Sequence, residues 1–294
     1  KRQHEKGVPR SIAVLLIYVL FFGSIAIIAI NVFPLLVTQI KDFSEHIPKM
    51  IKTFEGWLDG IRHDHSNPIP DSVQDGLDAA LEGMEKKAAG GVTYIFQWIG
   101  NTIGILVTIA LTPFVAFYIL KDYQLIEKTM MTFVPKKKRR EMIRLAREID
   151  EVLGNYIRGQ LLVCAVVGIL AYIGYLVVGL PYALLLASIV AITNIIPYLG
   201  PFIGAAPSIV VGLSISWKMA ISVIVVNLIV QIMEGNVVSP QIVGRRLHIH
   251  PLMIIFALLV GGELGGILGL ILAVPIFAVL KVIIQHIVLY YLHR

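Results

Sequence analysis

The sequence predicts an all-α, polytopic transmembrane protein, and three observations carry that reading. Of 294 residues, 57% are apolar and 15% charged, with a mean hydropathy of +0.81; soluble domains carry about a quarter charged residues. The run from Gly159 to Trp217 contains no Asp, Glu, Lys or Arg, well beyond the ~20 apolar residues of one helical span. At its middle lies Asn194-Ile195-Ile196-Pro197-Tyr198-Leu199-Gly200-Pro201, with further breaks at Gly204 and Pro207, where helix formation is hardest. Non-helical backbone at membrane depth is tolerated only where protein buries it or where it lines a wet cavity. The stretch therefore reads as a broken, re-entrant hairpin of the kind that builds transport sites. A tight, unusually apolar turn outside the membrane is the alternative.

The first element is a span. Lys1, Arg2, Lys6 and Arg10 stand against Glu5 alone, and Ser11 to Ile40 is free of charge. Residues 1–33 therefore form a cytoplasmic start and an outward-running span. Residues 34–87 hold ten acidic and six basic side chains, which fits a small extracellular segment. Leu36, Ile40, Phe43, Ile47, Met50, Phe54, Leu58 and Ile61 recur at spacings of three and four, the pattern of an amphipathic helix. Pro48 is expected to kink it. Asp64 to Pro70 reads as a loop, and Asp71 with Gln74 resembles the start of a second helix. His63 and His65 lack a carboxylate at ligand spacing, so no metal site is expected there.

Residues 88–120 are uncharged and long enough to span back. The segment 121–158 comes next, with ten basic residues against six acidic. Lys136, Lys137, Lys138, Arg139 and Arg140 form its centre, placing it in the cytoplasm and against anionic headgroups rather than nucleic acid. Residues 159–294 form the predicted transport core. Gly179-Leu180-Pro181 breaks its first arm, and the arm from Met219 to Met233 ends at Glu234-Gly235-Asn236. Pro251 to Ile287 is too long for one span and is interrupted at Gly261-Gly262-Glu263-Leu264-Gly265-Gly266, which predicts a second hairpin. Pro181 to Pro207 and Pro251 to Pro275 thus echo one another, either as paired interrupted segments around a transport site or by chance.

No catalytic constellation is present: there is no nucleophile elbow, zinc-protease helix, phosphate-binding loop or aspartate pair. An enzyme and a nucleotide-driven pump are thus disfavoured, and no cofactor is expected. His248 and His250 lie only two apart and read as interfacial. Cys164 is the single cysteine, so there is neither a disulfide framework nor a cysteine metal site. The candidates for chemistry are two carboxylates. After Asp150 and Glu151 only Glu234 and Glu263 are acidic, and a carboxylate at membrane depth costs roughly 2.5–3.5 kcal/mol, so its presence needs a reason. A headgroup position, or for Glu234 a pairing with Arg245, is the plainer alternative. With Asn194, Pro197, Tyr198, Gly200, Pro201 and Asn236, they make up the predicted site for a small polar substrate, a proton or sodium.

The chain resembles the autoinducer-2 exporter family of bacterial membrane proteins over nearly its whole length. The resemblance lies in Phe117-Tyr118-Ile119-Leu120-Lys121-Asp122, Arg158-Gly159-Gln160, Gly179-Leu180-Pro181-Tyr182-Ala183, Asn194 to Pro201, Glu234-Gly235-Asn236, Ser239 to Gly244, His250-Pro251, the glycine break and Pro275. Gly7-Val8-Pro9-Arg10 is similar to the family's loop after its second membrane segment, so two further spans are expected ahead of Lys1. The resemblance implies a multi-pass secondary transporter of the bacterial plasma membrane, exporting a small polar signal molecule or exchanging sodium for protons. Its expected partners are the lipid bilayer, that substrate or ion, and other copies of the chain in a homo-oligomer, with no nucleic acid. A non-transporting scaffold that recruits a partner through the acidic helices is the reading from a different class.

Overall fold

The computed structural model describes residues 10–62, 83, 102–242 and 250–292. Among them the regular structure is entirely helical, as the composition predicts. The chain divides into two compact units, Lys1–Pro135 and Lys136–Arg294. The loop at 64–70, the helix expected over 71–87 and the segment 243–249 with Arg245 and Arg246 fall outside the described residues, apart from Gly83.

The first unit contains α1 (Arg10–Arg62), α2 (Thr102–Lys121) and α3 (Tyr123–Thr132). Sequence reasoning ended a span near Phe33 and began a separate helix at Pro34. Instead α1 runs through both Pro34 and Pro48 without interruption. An internal proline removes one hydrogen bond and bends a helix, but the flanking turns can continue it. At ~1.5 Å per residue α1 reaches roughly 80 Å, well beyond the thickness of a bilayer. It meets α2 through Tyr18 and Phe117, whose rings lie edge to face with centroids 6.0 Å apart.

In the second unit a short 3₁₀ turn at Lys136–Lys138 leads into α4 (Arg139–Val177). No break separates the basic segment from the apolar core at residue 158: one helix carries both. Tyr156, Gly159, Val163, Cys164, Val167, Ala171 and Tyr175 form its buried stripe. Where the sequence predicts a break, α4 stops on a Schellman motif. The Leu180 N–H reaches the Tyr175 carbonyl at 2.9 Å and the Gly179 N–H that of Leu176 at 3.1 Å. This closure needs a left-handed residue, and Gly179 supplies it with φ 73°.

The first hairpin consists of α5 (Ala183–Thr193) and α6 (Leu199–Ile215). Between them the Ile196 N–H bonds the Thr193 carbonyl and the Gly200 N–H bonds that of Ile196, so the turn satisfies itself tightly. Gly200 lies against the Thr193 backbone and Gly204 against Val190, so any side chain at either position would hold the arms apart. Pro201 falls in the first turn of α6, where a missing N–H costs no helical bond.

Next comes α7 (Trp217–Met233), followed by a wide π turn, Glu234–Val238, and the short α8 (Ser239–Ile242). Glu234 closes the end of α7 and begins the wide turn. Its carbonyl accepts from the Ser239 N–H five residues on.

The last helical stretch, α9 (Pro251–Leu292), has non-helical geometry at Gly266 (φ 56°, ψ −134°). There it folds back, because Gly261 faces the Gly269 backbone and Gly262 faces Leu270. The glycine cluster thus divides its labour differently from the sequence reading. Gly266 alone makes the reversal, while Gly261 and Gly269 let the arms touch. This second hairpin packs Ala257, Leu258 and Ala273 on Ile196 at the turn of the first. Among the described residues α4, the helix from Trp217 to Ile242 and the stretch Pro251–Val288 are long and apolar enough to cross a membrane. Their outer faces expose side chains such as Ile169, Ile173, Leu228 and Leu259, which suits lipid rather than water.

Candidate functional site

Three elements converge below the turn of the first hairpin: α4, the hairpin turn and the π turn. Asn194 comes directly after α5, and only 1% of its surface is exposed. Its Nδ2 donates to Glu234 Oε1 at 2.9 Å, and its carbonyl accepts from Gln160 Nε2 at 2.7 Å. Gln160 also reaches the Cys164 thiol one turn along α4, and Gln231 lies beside the carboxylate from the preceding turn of α7. The other carboxylate oxygen, Oε2, is buried and has no hydrogen-bond partner in the protein. Tyr156 Oη, one turn before Gln160, is in the same condition.

Glu234 keeps the helical phase of α7 and reaches Asn194 from the end of that helix. The π turn that begins there adds one residue and rotates the side chains beyond it, a device common at functional sites. Desolvating an ionised carboxylate is costly unless hydrogen bonds or a counter-charge compensate. Asn194 supplies one such bond. The bare Oε2 keeps acceptor capacity for a proton, a cation or a hydroxyl-bearing solute.

A second polar cluster ties α4 to α6 and α7. Tyr175 Oη lies 3.0 Å from Ser208 Oγ and 2.9 Å from Asn227 Oδ1, and Asn227 Nδ2 donates to Ser208 Oγ at 3.2 Å. Spare protons go to backbone carbonyls: Ser208 to Ala205 and Asn227 to Val223. This cluster is closed and fully satisfied. A groove of about 220 Å³, lined by residues that include Gly168, Tyr172, Leu184 and Ala191, is almost wholly apolar. The hydroxyl of Ser188 in its wall is spent on the Leu184 carbonyl.

The residues singled out from sequence are thus only partly gathered. Glu234 and Asn194 meet. Pro197, Gly200 and Pro201 shape the turn that presents Asn194 without offering a polar group of their own. Tyr198, at φ 64°, is half exposed. The Asn236 amide folds back on the Ile232 carbonyl. Glu263 sits exposed at the tip of the second hairpin, beside Leu264, Ile267 and Leu268, each more than 70% exposed. Lys136 and Lys138 flank the 3₁₀ turn, with Lys137 between them, and Arg139 and Arg140 open α4. Sequence reasoning missed Tyr156, Gln160, Tyr175, Ser208 and Asn227 as members of polar clusters. Asn227 was the available signal: with Gln231 it is one of two amides in a mostly apolar arm, seven residues before Glu234 and so on the same helical face.

Comparison with known proteins agrees with this architecture. The profile of the AI-2E family transporter matches residues 2–289. YrrI of Bacillus subtilis (strain 168), named as a transport protein, is 44% identical over 283 residues, covering 96% of this chain and 80% of that protein. YueF of the same organism, also named as a transport protein, is 37% identical over 97% of this chain and 78% of its own length. PerM of Escherichia coli (strain K12), named as a permease, is 28% identical over 97% and 81%. With long apolar helices, paired hairpins and a family match over residues 2–289, the chain belongs to the AI-2E family of membrane transporters.

Proposed function

We propose that the protein is a secondary transporter of the bacterial plasma membrane that exports a small polar molecule of the autoinducer-2 type. In this reading Glu234 couples export to the entry of a proton or cation. The observation that supports it is the asymmetry of that carboxylate: Oε1 is held by Asn194, while Oε2 is buried and unpaired. A group fixed on one side and open on the other can take up a small positive charge without rebuilding its surroundings. The basic segment around Lys136–Arg140 faces the cytoplasm in this arrangement, and Glu263 and Asn236 act at entry or exit rather than at the coupling step. Sodium/proton exchange without an organic solute is the second reading. The single unpaired carboxylate oxygen, which suits one small cation, favours it.

The test uses purified full-length protein in vesicles with an internal pH dye, a sodium step, and autoinducer-2 loaded on one side. Efflux of the signal that moves the pH dye supports the first reading. A pH change driven by sodium alone supports the second. Glu234→Gln, which keeps the shape and removes titration, is expected to abolish the pH response in either case. Full activity in that variant removes Glu234 from the mechanism.

A further inference from the structure

The sharpest bend of the first hairpin is made at a single residue. The Leu199 N–H bonds the Pro197 carbonyl, two residues back, at 2.8 Å, and Tyr198 between them has φ 64° and ψ −45°. This is a γ-turn of positive φ, the rare and strained form of that turn. An L side chain fits badly there, because its Cβ crowds the neighbouring carbonyl. Tyr182 also has positive φ, but with ψ 28° it lies close to the left-handed well that side chains do visit. Nothing local offsets the strain at Tyr198. Its ring is half exposed, and among the described residues its hydroxyl has no hydrogen bond. Such strain persists only where the surroundings over-determine the backbone, and it gathers at switch regions and ligand clamps. Here the turn is held on both flanks. Upstream, Asn194 is bonded to Gln160 and to Glu234, and Ile196 is seated on Ala257, Leu258 and Ala273 of the second hairpin. Downstream, the Gly200 N–H closes on the Ile196 carbonyl. Only one of these ties ends on a group that can change its charge, and that group is Glu234.

We infer that the γ-turn at Tyr198 is a strained hinge, latched by the Asn194–Glu234 bond, from which the first hairpin opens when the carboxylate lets Asn194 go. An ionised carboxylate accepts a charge-assisted hydrogen bond, about twice as strong as one between neutral groups. Uptake of a proton or cation at Oε2 therefore weakens the hold of Oε1 on the Asn194 amide. Relaxation of the Tyr198 backbone then favours the opened turn. Among the described residues the carboxylate is surrounded by uncharged amides, Asn194 from the hairpin and Gln231 from α7, and the Cys164 thiol of α4 is the other titratable group near it. The place of the hinge in a transport cycle rests on Glu234 being the coupling carboxylate, whereas the strain and the latch do not.

Local opening is read by amide hydrogen exchange, followed by mass spectrometry on the full-length protein in lipid vesicles. The segment to follow holds the N–H groups of Ile196, Leu199 and Gly200, which carry the hydrogen bonds of the turn. Tyr198→Gly removes the strain, because glycine takes positive φ freely, and should slow exchange there about tenfold, the scale of one strained residue. Tyr198→Ala keeps the Cβ and with it the strain, so its rate should stay close to that of the unmodified protein. Asn194→Ala removes the latch and should speed exchange in the turn about tenfold, the scale of a lost hydrogen bond to a charged group. Unchanged or faster exchange in Tyr198→Gly overturns the strained hinge. Equal slowing in Tyr198→Ala also overturns it, since the ring and not the backbone would then be responsible. An unchanged rate in Asn194→Ala overturns the latch; should that variant fail to assemble, the Tyr198 pair decides alone. Glu234→Gln keeps an acceptor for Asn194, so full ion flux in that variant removes the coupling role while leaving the exchange results in place, and the two failures are told apart.

Discussion

Asn194 and Glu234 are separated by 40 residues yet joined at 2.9 Å, amide nitrogen to carboxylate oxygen. The bond ties the turn of the first hairpin to the wide turn after α7. Each end closes a helix just ahead of an irregular turn: Asn194 follows α5 before the break at Pro197, and Glu234 follows α7 at the start of the π turn.

Replacing Asn194 by Ala removes that bond and leaves the backbone contact from Gln160 in place. With the carboxylate then left to Gln231 alone, a loss of about 1–3 kcal/mol is expected, unless the group takes up a proton in compensation. Thermal melting in detergent at two pH values reads this directly: the deficit should be larger at the higher pH, where the acid is ionised. A deficit independent of pH would mean that Asn194 supports the turn and not the carboxylate.

The glycines of the second hairpin separate cleanly into two kinds. A methyl group on Gly261 or Gly269 meets the backbone of the opposite arm, whereas Gly265 has nothing within 4 Å. Gly261→Ala and Gly269→Ala should therefore cost about 1–3 kcal/mol through overpacking. Gly265→Ala should be neutral or stabilise by about 0.5–1 kcal/mol, since it lies in helical geometry. Comparable melting temperatures for all three variants would refute the folded-back arrangement of α9.

Tyr175→Phe takes one member from the closed cluster and leaves Asn227 bonded to Ser208. Inter-helix hydrogen bonds of this kind in lipid contribute about 0.6 kcal/mol on average and up to about 1.7, so a loss in that range is expected. The double-mutant cycle with Ser208→Ala checks it: the two losses should fall well short of additive.

Much of the architecture was legible from charge and from helix breakers. Gly179, Pro197 and the glycine cluster at 261–266 mark the places where the chain turns, because only special backbone geometry closes a helix end or reverses a hairpin. What escaped the sequence was continuity. Prolines at 34 and 48 are tolerated inside α1, and the boundary at residue 158 is a change of composition within one helix rather than a joint. The meeting of Glu234 with Asn194 was legible only as two separate polar exceptions. Gln160 was legible only as part of the motif Arg158-Gly159-Gln160, because nothing in the sequence tells which carbonyl its amide meets 34 residues on.

The wide turn at Glu234–Val238 has a consequence for how the helix carries pattern. An added residue in a helix advances the angular phase of everything beyond it by about 100°. Side chains before and after the turn therefore keep separate clocks. Asn227 and Glu234 share one phase, while Ser239 and Ile242 keep another and meet α4 on a face of their own. Such a phase slip can migrate along a helix by exchanging one backbone bond at a time. Moving it a single residue toward Met233 would sweep the Glu234 carboxylate out of the reach of Asn194 without sliding or tilting either helix.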